Sequence, residues 1–131
     1  MIESLRFKVG SEMSKIEFSF EKLIAWQKAR EFYHEIRLVT KAFPIDERFD
    51  LTSQMNRASH SIVSNLAEGS GRMTPKDKAK FYNISYSSLL EVLSDVVLAK
   101  DNNFITKEQE YNLKSKGQQL MKIITGLRNS L

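Results

Sequence analysis

The segment from Gln54 to Arg72 constrains this chain most, because its residues sort onto two faces of one helix. At about 100° per residue, Leu51, Met55, Ala58, Ile62 and Leu66 fall on an apolar stripe, with Gln54, Arg57, Ser61, Asn65, Glu68 and Arg72 on a polar stripe beside it. A small residue at Ala58, Ser61, Ser64 or Ala67 recurs in every turn. That pattern suits a helix packed closely on neighbours and pairing its polar groups there. Gly69 and Gly71 are expected to end it.

The same periodicity organises the remainder. From about Phe20, the residues Trp26, Ala29, Phe32, Tyr33, Ile36, Val39 and Phe43 share one broad stripe until Pro44 stops the first helix. Asp46 reads as the cap of the second. Thr74-Pro75 marks the start of a third, since threonine caps well, proline at the first helical position loses no needed hydrogen bond, and Asp77 faces the positive end of the dipole. Tyr82, Tyr86, Leu89, Leu93 and Val96 form its centre line; Ser85, Leu90, Val92 and Val97 widen the arc, so this helix is expected to be the most buried. Asp101-Asn102-Asn103 break it, and Thr106 with Gln109 predicts a capping box for a fourth helix carrying Leu113, Leu120, Ile124, Leu127 and Leu131. Gly117 and Gly126 weaken that helix slightly. Helices of about 20 to 25 residues joined by short turns predict an all-α, antiparallel up-and-down four-helix bundle over residues 19–131. Residues 1–18 lack this periodicity and read as an N-terminal extension of unassigned role, within which Met13 is a second candidate start.

Composition narrows the function classes. A chain of 131 residues fits one domain. It has no cysteine, which excludes disulfides and cysteine–zinc sites, and no apolar run of the roughly 18 residues a membrane span needs. With Glu3 and Glu12 near its start in place of a basic-then-apolar signal pattern, a cytoplasmic location without membrane contact is expected. The net charge of +4 is unevenly spread: residues 1–50 balance, 51–80 carry +3, 81–106 carry −2 and 107–131 carry +3. Arg72, Lys76, Lys80, Lys114 and Lys122 are therefore the candidate nucleic-acid-binding residues, weighed against the ordinary role of lysines on the wet face of a helix.

Ile24, Leu38, Val63, Ile84 and Leu98 fall outside the four core stripes. Their recurrence on three helices predicts a second packing surface and hence a homo-oligomer.

No catalytic constellation assembles. A di-iron bundle needs paired Glu-x-x-His motifs, and only Glu31 and His34 have that spacing. The pairs Arg30–His34 and Arg57–His60 do not match the spacing of all-helical HEPN-type ribonucleases. Gly69-Ser70-Gly71-Arg72 lacks a phosphate-loop lysine and precedes no strand. Glu68, in the last turn of its helix, needs a compensating cation, and Arg72 four residues later is the nearest in sequence. The polar stripe is therefore read as structural, Trp26 as core, and no metal or cofactor is expected.

Leu23-Ile24-Ala25-Trp26-Gln27-Lys28-Ala29, Phe43-Pro44, Gln54 with Arg57-Ala58, Ser61-Ile62, Ser64-Asn65-Leu66-Ala67-Glu68-Gly69 with Gly71-Arg72, and Ser88-Leu89-Leu90-Glu91 stand out together. In these segments, from about Phe20 to Leu127, the chain resembles the bacterial 23S rRNA intervening-sequence proteins, also described as a ribosomal protein group. The resemblance implies a non-enzymatic antiparallel bundle that assembles as a homopentamer. It also implies kinship with the accessory proteins of diversity-generating retroelements, basic pentamers that bind nucleic acid and a reverse transcriptase. Two functional classes follow: an oligomeric scaffold binding RNA or DNA through repeated basic patches, and an adaptor whose partner is another protein, such as a polymerase.

Overall fold

A computed structural model describes residues 15–131 of the protein, so most of the 1–18 extension lies outside the described residues. Four helices account for most of the described chain: α1 (Ile24–Thr40), α2 (Leu51–Ser70), α3 (Pro75–Asp101) and α4 (Lys107–Asn129), with no strand among the described residues. Short 3-10 turns at Ser19–Lys22 and Ile45–Glu47 precede α1 and α2. No helix is long and apolar enough to cross a membrane.

Local chemistry explains the helix ends. Thr74 Oγ1 accepts from the Asp77 amide at 3.1 Å, with Pro75 in the first turn. At α4 the capping box is complete: the Gln109 amide donates to Thr106 Oγ1 at 3.1 Å, and the Thr106 amide donates to Gln109 Oε1 at 2.8 Å. The α3 terminus closes as a Schellman motif, with Asn103 at φ 60°, its amide bonded to the Lys100 carbonyl and the Phe104 amide to the Ala99 carbonyl. Phe104 then packs on Phe43, ring centroids 5.3 Å apart.

Two expected starts move inward. α1 begins at Ile24 instead of Phe20, because Ser19–Lys22 coils tightly and Leu23 is extended; Phe20 meets Trp26 edge to face at 5.0 Å. α2 begins at Leu51, not near Asp46, which lies in the 3-10 turn. Gly69 does not end α2 either. It lies buried inside the helix, where a Cβ would come 2.7 Å from the Tyr82 ring, and Gly71 ends α2 without left-handed backbone.

The core is continuous. Ala25, Ala29, Phe32 and Ile36 of α1 meet Met55, Ala58, Ile62 and Leu66 of α2, Leu89, Val92 and Val96 of α3, and Leu113, Leu120 and Ile124 of α4. Each helix packs on its chain neighbours, and α4 returns to α1. Cross-helix pairs give the register: Thr40 with Asn56, Ser61 with Ser88, Gly69 with Tyr82, Leu93 with Gly117, Asn83 with Arg128, and Glu35 with Asn112 and Lys116.

α3 departs from expectation in one respect. Its inner face is shifted toward Ser85, Val92 and Ala99, which leaves Leu90 47% and Val97 37% exposed. Ile84 and Leu98 are exposed as well, so apolar side chains stand on both flanks of the polar line that Asn83, Ser87, Ser94 and Asp101 draw along the outer side of α3. Ile24 and Leu38 are also exposed but stand near opposite ends of α1, whereas Val63 packs against the core.

Candidate nucleic-acid interface

The α2–α3 turn gathers cations because a short connection forces the last turn of one helix beside the first turn of the next. Lys78 Nζ donates to the Ser70 carbonyl at 2.8 Å and so fastens the turn. Arg72 sits 3.6 Å from Glu68, satisfying the carboxylate at the negative end of α2, and its guanidinium lies 4.3 Å from the Phe81 ring centre. Lys80 reaches the same ring at 5.8 Å. Lys76 and Lys80, one turn apart, are exposed and form no ion pair among the described residues.

The fold adds a residue that the sequence did not assign to the site. Arg128, at the end of α4, donates to Asn83 Oδ1 at 2.9 Å and lies 5.8 Å from the Tyr86 ring centre. Arg72 and Lys80 thus flank Phe81, with Lys76 one turn before Lys80, and Arg128 lies beside Tyr86 about a turn and a half further along α3. Cations of this kind attract phosphates, and aromatic faces beside them accept bases.

The other two candidate residues separate. Lys122 lines an open cleft between α3 and α4 with Tyr86, two turns before Arg128. Lys114 is paired with Glu110 at 3.6 Å and lies fourteen residues before Arg128, about 21 Å along the helix at 1.5 Å per residue. It does not belong to the same cluster.

The middle of the α2 polar stripe, at Ser61 and Asn65, is half-buried on the α3 side, whereas Gln54, Arg57, Glu68 and Arg72 are exposed. Ser61 and Ser88 hydroxyls meet at 2.8 Å, Ser85 Oγ donates to the Ile62 carbonyl at 2.9 Å, and Asn65 Nδ2 donates to the Ser61 carbonyl at 2.9 Å. Gln54 bonds Asp50 at 3.1 Å, and Arg57 forms no ion pair among the described residues. Asp95 is the anomaly on this seam: it is only 5% exposed, and its Oδ2 has no hydrogen-bond partner. Burial raises its pKa above the usual carboxylate value, with Glu91 and Asp50 adding repulsion. A single acid inside the pattern Ser88, Val92, Asp95, Val96, Ala99 is visible in the sequence as an exception. Among the described residues, no group of three or more His, Cys, Asp or Glu side chains is placed to hold a metal ion.

The four-helix fold has known counterparts. The chain belongs to the 23S rRNA-intervening sequence protein family, whose model matches residues 21–126. Its fold is similar to that of a protein of unknown function from the S23 ribosomal protein family of Bacteroides thetaiotaomicron, with a TM-score of 0.74 and 22% identity over 80% of this chain and 98% of that one. No curated protein matches the chain.

Proposed function

We propose that the protein is a non-enzymatic, oligomeric nucleic-acid-binding scaffold, built as an antiparallel up-and-down bundle and acting in the cytoplasm. The observation that carries this reading is the set of cation–aromatic contacts at one end of the molecule, Arg72 and Lys80 on Phe81 and Arg128 on Tyr86, with exposed Lys76 one turn before Lys80. A single strand is favoured over a duplex as ligand, because it offers both phosphates and accessible base faces, and RNA is the strand proposed. Self-association, with a pentamer as the expectation, is supported by the exposed apolar side chains Ile84, Leu90, Val97 and Leu98 on the outer half of α3. Copies of the basic end carried on one assembly raise the effective concentration of weak contacts.

Filter binding of RNA across salt concentrations tests the reading. The wild type binds with affinity that falls steeply as salt rises. Lys76→Glu with Lys80→Glu weakens binding and makes the salt dependence shallower, by about 0.7 in slope for each single-strand phosphate that is no longer neutralised. Unchanged affinity in that variant rejects the cluster. Light scattering tests assembly: a monomer at micromolar concentration rejects the oligomer.

A further inference from the structure

The cleft between α3 and α4 contains a glycine that packing does not require. A Cβ on Gly69 or Gly117 would collide with Tyr82 or Leu93, whereas one on Gly126 meets nothing within 4 Å. Glycine inside a helix is destabilising by about 1 kcal/mol relative to alanine, so bare backbone at this position calls for another reason. Gly126 borders an open cleft of about 460 Å³, walled by Tyr86 and Met121, with Gln118 and Asn129 supplying amides and Lys122 a cation. That volume lies within the range of about 300–1,000 Å³ typical of ligand clefts. No carboxylate lines it, and Arg128 beside Tyr86 joins it to the basic end.

We propose that this cleft is a base-binding subsite for single-stranded RNA, in which an unpaired base stacks against Tyr86 over the open backbone at Gly126 while Lys122 and Arg128 hold the flanking phosphates. Asn129, one turn from Gly126, supplies an amide for the base edge, and Gln118, about 16 Å further back along α4, lies at the far end of the cleft. The proposal rests on the nucleic-acid reading above and adds to it a preference for unpaired strands. The cleft at the start of α1 is a poor rival for this ligand, since Glu17, Glu21 and Glu31 line it and repel phosphate.

The test compares a short single-stranded oligouridylate with duplex RNA of equal length. Tyr86→Leu and Gly126→Leu are each expected to weaken oligouridylate binding about fivefold or more, the effect of losing one base stack, while duplex affinity changes less than about twofold. Gly126→Leu points into open space, so it remains informative if Tyr86→Leu fails to fold. Equal losses on both probes, or no loss on either, overturn the subsite. So does a change of assembly mass in Gly126→Leu with RNA affinity unchanged, which assigns the cleft to a second copy of the chain. If the wild type binds neither probe, the nucleic-acid reading falls with it; if only the Lys76→Glu, Lys80→Glu variant loses binding, the basic end stands and the subsite alone is wrong.

Discussion

The two seams of α3 are built differently. Toward α2 the helices approach closely along most of their length: Gly69 lies under Tyr82, Ser61 meets Ser88, and Ser85 reaches the Ile62 carbonyl. Toward α4 the helices close on Gly117, where Leu93 fills the missing side chain, and then open into the cleft at Gly126. Small residues on the first seam serve packing. On the second seam one glycine serves packing and the other leaves a surface bare. The same residue type therefore has opposite energetic meaning nine positions apart in one helix, and the neighbour decides which.

Single substitutions put the two seams to the test. The largest effect is expected from Gly69→Val, which drives a branched side chain into the Tyr82 ring and the Phe81 Cβ; overpacking of this kind destabilises by about 2–3 kcal/mol in urea unfolding. A loss near zero would show that the α2 seam is looser than its distances indicate. Asp95→Asn on the same seam acts in the opposite direction at pH 7. Removing a buried, unpartnered carboxylate is expected to raise stability by about 1 kcal/mol.

The pH dependence of that gain has a definite sign. Folded Asp95 holds its proton more tightly than the unfolded chain does, so wild-type stability declines as pH rises from about 4 through the raised folded value. The Asn variant removes this contribution to the decline, and unfolding curves at several pH values check it. A variant whose pH profile matches wild type would show that Asp95 is paired in solution.

Ser85→Ala ranks next, with a loss of about 1 kcal/mol as the hydroxyl bridge to α2 disappears. Gly126→Ala is the smallest and the most diagnostic of the stability changes. It should stabilise α4 by up to about 1 kcal/mol in thermal unfolding, because nothing stands where the methyl would go. Destabilisation there would mean that an unseen neighbour already occupies the cleft, and the contrast between the two seams would disappear.

Much of the fold is legible in the sequence. The Thr74-Pro75 start, the Thr106–Gln109 capping box and the stripes of Met55, Ile62, Leu66, Leu120 and Ile124 are local rules of period and capping, and the structure follows them. The starts of α1 and α2 are not legible in the same way, because 3-10 turns share composition with helices and only backbone geometry separates them. Leu90 and Val97 read as inward because they lie between the core line of α3 and its polar line of Asn83, Ser87, Ser94 and Asp101, and the period alone does not say how far the covered arc extends.

The basic end is half legible. Arg72, Lys76 and Lys80 are close in sequence, so their clustering needs no tertiary information; Lys114 looks equivalent but lies far along α4. Arg128 is placed beside Tyr86 only by the register of α4 on α3.

Four helical segments, the caps that start α3 and α4 and the positive turn between α2 and α3 follow from the sequence alone, because periodicity, capping and charge density act over a few residues. Tertiary structure decided which face of α3 turned inward, which glycine was filled by a neighbour, and which distant cation joined the basic end. Those outcomes depend on rotation and register between helices, and these are set by packing across the whole core.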